Sequence, residues 1–530
     1  MTIFYGDKNT FLPSHLNFGK YALDEISKFK DKVALIDAAT KKKITYKELA
    51  QSFVNVAFYL EQRGLKKNDV VAICSENRIE YMITALAVFS TGATLTCMNG
   101  IYNKDEIIHA LHISKPKYIF LSQNTNERYY ESIKSLNMIK NFYVFDDVPT
   151  NSETISFKEI LQSNIDISSF KFKEFKEFNG GIAVIMYSSG TTGPAKGVKL
   201  THSNLIIATQ QPVLSPKDHV ILSIAPWSSS LGLIFTLHEV VCGRTSVFLP
   251  RFSENLFLEA IQTYKVGVLI VVPPVIIIMC KSITAKNYDL SSIEIVYSGG
   301  APLNQALITE LKSTFPNIKY ILQGYGMTEA TGAITGELVT KYKEGSVGTV
   351  LKGNIVKIVD VNTRKILGPR QAGEVCVKGP VLFDGYIEID NKSILDEDGF
   401  YKTGDIAYYD EDGFFYIVDR IKEIIKYKGW QVSPSELEDL LLQHPAIKDV
   451  GVIGRPDDFT GELPTAFIVK KPNINVTETE ITEYVAKKVS PWKRLHGGVI
   501  FVKEIPKNAS GKILRRKLRE MLPKLPTSKL

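Results

Sequence analysis

The feature that most constrains the fold of this chain is an alternation of short β-branched runs with amphipathic helical patterns. A strand pattern over residues 69–74 is followed by a helical pattern over 79–89, and further apolar strand runs occupy 117–121, 267–272 and 294–297. Such alternation is typical of layered α/β architectures. We therefore expect an α/β fold, with room in 530 residues for about three to five structural units.

Composition excludes several other classes of protein. The longest apolar run, Val266–Cys280, contains Pro273 and Pro274 and is shorter than the roughly 20 residues of a membrane span, so it predicts a buried strand entering a helix. The net charge of +7 is spread thinly without an arginine-rich stripe, which gives no support to nucleic-acid binding. The five cysteines lack CxxC spacing, so we expect neither a disulfide framework nor a thiolate zinc site.

Changes in local composition along the chain predict a large N-terminal domain and a small C-terminal domain. Residues 1–418 are expected to form α/β subdomains, with a β-rich subdomain from about 341 to 418, where short strands are separated by Gly, Asn and Pro. A hinge is predicted at 419–421, and an α+β domain at 422–530. In that domain Ser433-Pro434-x-Glu436 is a helix start signal.

The strongest local motif is a glycine-rich loop that follows an apolar strand at 181–187. The loop, residues 188–197, offers backbone amides, hydroxyls and one lysine, which suit the β- and γ-phosphates of a nucleotide. It differs from the loop of P-loop NTPases, because Gly197 follows Lys196 where those proteins carry a hydroxyl. A flexible surface turn is the alternative interpretation.

A second motif, Gln323–Ala330, follows another strand. Its glycines flank Tyr325 and would let a planar base lie close to the backbone, while Thr328 and Glu329 offer a hydroxyl and a carboxylate for phosphate and Mg²⁺. Taken alone, this segment is equally consistent with a simple turn and with a nucleotide-binding segment.

Three further segments complete the set. Asp405 ends a predicted turn and could accept both ribose hydroxyls of a nucleotide. Arg420 and Lys426 lie in the segment 419–432, and Lys512 lies in 508–516. Each of these charged residues, taken alone, is more often a solvated surface charge.

Together and in this order, the five segments resemble the adenylate-forming superfamily of acyl-CoA synthetases, 4-coumarate–CoA ligases and insect luciferases, over essentially the whole chain. Segments 298–303, 443–452, 457–464 and 495–502 are similar to luciferase segments. The resemblance is greatest to the peroxisomal insect luciferases and luciferase-like fatty acyl-CoA synthetases.

The resemblance implies ATP and Mg²⁺ as cofactors and a role for each motif. The 188–197 loop would cradle the β- and γ-phosphates, Glu329 would hold Mg²⁺, and Lys512 would reach the reacting carboxylate. Lys426 would act only after the small domain has rotated. The nucleotide-binding residues implied are Ser188, Ser189, Gly190, Thr191, Thr192, Gly193, Lys196, Gly300, Ala301, Tyr325, Gly326, Thr328, Asp405, Arg420 and Lys512.

The predicted acyl pocket departs from that of beetle luciferases. Their Phe-His-His is replaced by Trp227-Ser228-Ser229, Gly332 stands where they carry serine, and the segment before Pro226 is shorter. Trp227 would supply a flat wall for an aromatic acid, although a core tryptophan beside a serine loop is an equal alternative. The pocket residues implied are Trp227, Ser228, Ser229, Leu231, Ser298, Gly299, Gly324, Met327, Gly332 and Ala333.

The adenylate of this family has two fates. Reaction with O₂ would make the chain a luciferase for a luciferin other than that of beetles, and reaction with CoA would make it an acyl-CoA ligase; we narrowly favour the first. A non-enzymatic scaffold would be expected to lack one of the motif lysines or acids, and an amidase using Ser188-Ser189-Gly190 would leave the other motifs unexplained. The terminal Ser528-Lys529-Leu530 matches the address read by the peroxisomal import receptor, so a peroxisomal location is expected.

Overall fold

The structure is a computed structural model that describes residues 2–146, 153–175, 181–188, 195–303, 305–389, 392–428, 430–457, 459–508 and 511–522. Its strands are β1 (Phe4–Tyr5), β2 (Val33–Asp37), β3 (Lys43–Thr45), β4 (Val70–Ser75), β5 (Thr94–Asn99), β6 (Tyr118–Leu121), β7 (Asn141–Val144), β8 (Thr154–Ser156), β9 (Ile182–Ser188), β10 (Lys196–Thr201), β11 (Val220–Ser223), β12 (Ser246–Phe248), β13 (Val266–Val271), β14 (Ile295–Ser298), β15 (Tyr320–Met327), β16 (Gly332–Gly336), β17 (Thr349–Val350), β18 (Ile355–Val359), β19 (Gly373–Lys378), β20 (Tyr401–Tyr409), β21 (Phe415–Arg420), β22 (Ile425–Tyr427), β23 (Trp430–Val432), β24 (Ile447–Asp457), β25 (Gly461–Lys470) and β26 (Val499–Phe501).

The helices fill most of the connections between these strands. They are α1 (Phe18–Ile26), α2 (Tyr46–Gln62), α3 (Ile79–Thr91), α4 (Lys104–Ser114), α5 (Gln123–Lys134), α6 (Phe157–Leu161), α7 (His202–Ala208), α8 (Ser230–Val241), α9 (Glu254–Tyr264), α10 (Pro273–Lys281), α11 (Gln305–Thr314), α12 (Pro434–Leu442), α13 (Glu478–Ala486) and α14 (Arg515–Glu520).

Two large sheets form the N-terminal part of the molecule. One has the order β10-β9-β5-β4-β6-β7-β8, and the other has the order β17-β16-β15-β14-β13-β11-β12-β2-β3. The central pairs of both sheets are parallel, as the alternation of strands and helices predicts. A single apolar core contains Phe18 of α1, Phe53 of α2, Phe89 of α3 and Leu237 of α8, together with residues from both sheets. These helices therefore lie between the two sheets.

A third sheet and a small unit complete the α/β architecture. The third sheet has the order β1-β18-β19-β20-β21, so the strand nearest the N-terminus joins the β-rich segment. The small C-terminal domain has its own sheet of β22 to β26, packed against α12 and α13 around a separate core.

Most local predictions agree with these elements. Val266–Cys280 forms β13 followed by α10, and Ser433 caps α12 by accepting a hydrogen bond from the Glu436 amide. Lys512 precedes α14, which begins at Arg515. Across the described ranges, no helix combines the length and apolar character that crossing a bilayer requires.

Candidate active site

The site lies where parallel strands of the nine-stranded sheet end. β14 and β15 are neighbours and run parallel, so Gly299 and Tyr325 meet at the same edge. In open α/β sheets the crevice outside the carboxyl ends of the strands is the usual place for a ligand. The glycine-rich loop follows β9, but residues 189–194 lie outside the described residues, so the predictions for Ser189, Gly190, Thr191, Thr192 and Gly193 remain untested.

Glu329 is the centre of a buried polar cluster. Its side chain is 7% exposed, and its Oε1 accepts a hydrogen bond from the Tyr386 hydroxyl over 2.7 Å. The Tyr401 hydroxyl lies 3.1 Å from that of Tyr386, and the Lys196 ammonium lies 5.0 Å from the Tyr386 ring centroid. Burial raises the pKa of Tyr401 to about 12, so this phenol stays protonated and able to donate. Neither tyrosine was predicted as a site residue.

Asp405 is held by two partners. Its Oδ2 accepts a hydrogen bond from the Tyr325 hydroxyl over 2.7 Å, and its Oδ1 lies 2.9 Å from Nε of Arg420. Asp405 and Arg420 are cross-strand partners on β20 and β21, which explains how residues fifteen positions apart meet. Burial raises the pKa of Tyr325. The structure thus brings three of the predicted nucleotide-binding residues together.

Lys512 reaches this cluster from the C-terminal domain. Burial and the nearby Arg420 lower its pKa to about 8, while the Asp405 and Glu423 carboxylates oppose that shift. The turn that carries Lys512 lies against the N-terminal domain, because a Cβ added at Gly511 would stand 2.3 Å from Cγ of Pro274. The domain arrangement is therefore one in which Lys512 faces the nucleotide residues. Lys426, in contrast, is on the exposed face of β22 and is not part of this cluster.

A cavity of about 190 Å³ adjoins the nucleotide residues. Its volume is below the roughly 300–1,000 Å³ of pockets for drug-sized ligands, so it fits a small acid. The predicted residues that line it are Leu231, Gly299, Gly300, Gly324, Tyr325, Gly326, Met327, Gly332 and Ala333. Cβ atoms added at Gly299 and Gly332 would come no closer than 3.8 and 3.7 Å to other atoms, so these glycines keep the cavity wide.

Trp227 does not line the cavity, contrary to the expectation of a tryptophan wall. Its side chain is 1% exposed and packs with ring centroids 4.8 Å from Phe248 and 5.6 Å from Tyr81. Its backbone N–H donates to Oδ1 of Asn77 over 2.8 Å, which anchors the segment before α8. The alternative interpretation, a core tryptophan, is the one that the structure supports.

The serines beside Trp227 are also absent from the cavity wall. The Ser229 hydroxyl caps α8, since it accepts from the Gly232 amide and donates to the Pro226 carbonyl over 2.7 Å. Of the other predicted residues in the described part of the chain, Ser228, Ser298 and Ala301 do not line the cavity either. Ser230 does line the cavity, and its hydroxyl lies 3.3 Å from that of Thr328.

One face of α8 supplies a wall that the sequence analysis missed. Ser230, Leu231, Ile234, Phe235 and His238 all line the cavity, at the spacing of neighbours on one helix face. Extending the helical periodicity beyond Leu231 would have found them. Tyr297 from β14 lies opposite, with its ring centroid 6.3 Å from that of Phe235.

Comparison with known proteins agrees with this geometry. The family model described as "AMP-binding enzyme" matches residues 24–387, and "AMP-binding enzyme C-terminal domain" matches 436–512. Luciferin 4-monooxygenase of Photuris pensylvanica is 37% identical over 95% of this chain and 94% of that protein, and a 4-coumarate–CoA ligase of Humulus lupulus is 36% identical over 97% and 95%.

A solved structure shows the same fold with a nucleotide bound. The crystal structure of ATP-bound MatB from Rhodopseudomonas palustris superposes with a TM-score of 0.84 and 26% identity, covering 96% of this chain and 99% of that one. Family match, sequence identity and the grouping of Asp405 with Tyr325 and Arg420 lead to one assignment: the chain belongs to the AMP-binding family of ATP-dependent adenylate-forming enzymes.

Proposed function

We propose that this adenylate-forming enzyme activates a planar carboxylic acid and that O₂ then oxidises the adenylate with emission of light. The cavity is the observation that supports a planar acid as the substrate. It is small and mostly apolar, with the rings of Phe235 and Tyr297 on its walls and the glycines of β14–β16 leaving it open. Such walls favour a flat ring over a bulky branched chain.

The first half-reaction requires charge neutralisation. The acid's carboxylate attacks the α-phosphorus of ATP, its oxygen bonds to phosphorus, and pyrophosphate leaves with the electrons of the broken bond. Two anions are brought together, so cations placed at the α-phosphate lower the barrier. Lys512 beside Asp405 and Arg420 is our candidate for that role.

Glu329 fits a magnesium ion. Mg²⁺ in nucleotide sites is bound by one or two carboxylates plus substrate phosphates. Glu329 is a single buried carboxylate whose Oε1 is oriented by Tyr386, at the edge where the phosphates would lie. Glu329, together with the phosphates, would hold the ion, which would add positive charge at the reacting phosphate.

In the second half-reaction the acyl-adenylate loses a proton from its α-carbon and combines with O₂. The peroxide oxygen then attacks the acyl carbonyl and displaces AMP, which closes a four-membered ring. Breaking of the O–O and C–C bonds of this ring releases CO₂ and leaves the carbonyl product in an excited state. The 37% identity to luciferin 4-monooxygenase supports this route. The substrate itself supplies the electrons, so the route requires no flavin.

Formation of a CoA thioester is the second candidate. Ser229 stands in place of a luciferase histidine and its hydroxyl is used to cap α8, so it does not offer a base for the α-proton. The 36% identity to a 4-coumarate–CoA ligase over 97% of the chain supports the same alternative.

One experiment separates the two routes. The protein is incubated with ATP, Mg²⁺ and a panel of aromatic and fatty acids, in air, with and without CoA, and pyrophosphate, free thiol and light are followed together. ATP-dependent light with any candidate luciferin supports the oxidative route. Loss of thiol equal to the pyrophosphate released, without light, would assign the chain to the CoA ligases.

We also propose import into peroxisomes through Ser528, Lys529 and Leu530, which lie outside the described residues. The support is the match of this tripeptide to a receptor-read address. The test compares a fluorescent fusion that ends in Ser528-Lys529-Leu530 with one lacking Leu530. Loss of punctate, peroxisome-marker-coincident signal on deletion is expected, whereas diffuse signal from both fusions would contradict the proposal.

A further inference from the structure

The far end of the acid cavity holds a histidine that no motif predicted. Ser230 and His238 both line the cavity from α8 and lie eight positions apart, which corresponds to about 12 Å along a helix at 1.5 Å per residue. Ser230 lies at the end of the cavity near Thr328, where the adenylate would form. His238 is therefore at the opposite end from the reacting carboxylate.

The hydrogen bonds of His238 fix which ring nitrogen is free. Nδ1 lies 3.0 Å from the carbonyl oxygen of Thr209, and a carbonyl only accepts, so Nδ1 carries the proton. Burial lowers the pKa of His238, which keeps the ring neutral. In the neutral ring the other nitrogen, Nε2, is then a hydrogen-bond acceptor.

Nε2 receives no hydrogen bond from the described residues. Oε1 of the neighbouring Glu239 lies 3.7 Å from it, which is beyond hydrogen-bond distance. Burial raises the pKa of Glu239 to about 8, so at neutral pH this side chain is mostly uncharged and does not draw a proton onto the histidine. An acceptor left unpaired in an apolar cavity costs free energy unless a ligand supplies the missing donor.

Aromatic rings form the wall between the two ends of the cavity. The Tyr297 ring stacks on Phe235, and Phe235 in turn lies 6.2 Å from the His238 ring. The Tyr297 hydroxyl lies against Gly324, where an added Cβ would stand 1.9 Å from it, and so it belongs to the wall near Tyr325. The apolar wall thus leads from the nucleotide residues to the ring of His238.

We propose that His238 determines substrate specificity: its Nε2 accepts a hydrogen bond from a hydroxyl or N–H group at the end of the acid far from the carboxylate. A site that hydrogen-bonds a substrate group discriminates against the analogue lacking it, because the buried acceptor is then left unpaired. The inference rests on the proposed use of this cavity for the acid.

The test uses acids in matched pairs that differ by one distal hydroxyl. Suitable pairs are 4-hydroxycinnamic and cinnamic acid, 6-hydroxy-2-naphthoic and 2-naphthoic acid, and 4′-hydroxybiphenyl-4-carboxylic and biphenyl-4-carboxylic acid, which span increasing lengths. Pyrophosphate release gives kcat/KM, and calorimetric titration in the presence of AMP gives binding without turnover. For at least one pair we expect the unmodified protein to prefer the hydroxylated acid by roughly tenfold to a hundredfold in both measurements.

Variants assign the preference to His238. His238→Leu removes the acceptor and should bring the ratio within a pair close to one, chiefly by weakening use of the hydroxylated acid. His238→Gln, which keeps an acceptor, should retain part of the preference. His112→Leu, the same change at an exposed position of α4, is the matched control and should alter nothing.

The outcomes separate this inference from the proposed function. Pyrophosphate release that is equal within every pair would leave adenylation intact and overturn the role of His238, as would a preference that survives in His238→Leu. If no acid releases pyrophosphate, the binding titration decides. Equal binding within each pair, or no binding of any hydroxylated acid, then overturns the inference.

Discussion

Gly511 places the turn that carries Lys512 against the N-terminal domain, and this contact can be tested with a single methyl group. The Gly511 amide donates to the Asn508 carbonyl over 2.9 Å, and the Lys512 amide donates to the Asn508 side chain over 2.9 Å. Gly511 has a φ of +83°, and an added Cβ would lie 2.3 Å from Cγ of Pro274. Gly511→Ala should therefore displace Lys512 from the reacting groups.

The magnitude follows from two physical effects. Alanine in the left-handed region costs on the order of 1 kcal/mol. The steric contact matters more: carbon atoms pack at about 3.5–4.0 Å, so the turn must move away by at least about 1.2 Å. A misplacement of 1 Å can cost roughly 10² in rate. We expect Gly511→Ala to slow adenylation about 100-fold and to leave the reaction of a supplied acyl-adenylate nearly unchanged.

Gly498 is the matched control in the same domain. Its φ is +80°, and a Cβ there would meet nothing within 4 Å, so Gly498→Ala has the backbone cost without the contact. The assay is pyrophosphate release at saturating ATP, with thermal unfolding to check the fold. Pro274→Ala should restore most of the rate in the Gly511→Ala background. Equal rates for Gly511→Ala and Gly498→Ala would refute the reasoning.

Four further predictions use the same assays. Lys512→Ala should lower pyrophosphate release by roughly 10²–10³, as loss of one preorganised donor does, while sparing a supplied adenylate; unchanged release would contradict its role. Lys426→Ala should keep pyrophosphate release and lose thioester or light, and equal damage to both half-reactions would show that no such division exists. Since the pKa of Lys512 in the free enzyme is lowered to about 8, its charge is lost above that pH, so kcat/KM for adenylation should be level below pH 8 and fall above it. In Lys512→Arg the pH above which kcat/KM falls should be higher. An unchanged pH would count against the assignment of this titration to Lys512. Trp227→Ala should lower the free energy of unfolding by about 3–5 kcal/mol, as loss of a buried aromatic side chain does, with no selective effect on aromatic acids; denaturant unfolding and the acid panel test both parts.

Several features of the site depended on residues far apart in sequence. Tyr386 orients Glu329 from more than fifty positions away, and the Tyr401 hydroxyl lies beside that of Tyr386. Trp227 was predicted to form a wall because of its neighbours in the chain. Its direction is set instead by Phe248 and Tyr81, which bury its ring from other elements.

The sequence alone determined the α/β class, the helix start at Ser433 and the motifs that identify the family, because periodicity, capping and glycine spacing act between residues close in the chain. Only the tertiary structure decided which side of a segment faces the core and which faces the cavity. It placed Lys512 beside Arg420 and Asp405, and it put His238 rather than Trp227 at the acid cavity. The physical reason is that burial is shared among elements that fold together, so the direction of one side chain depends on partners that its own segment does not contain.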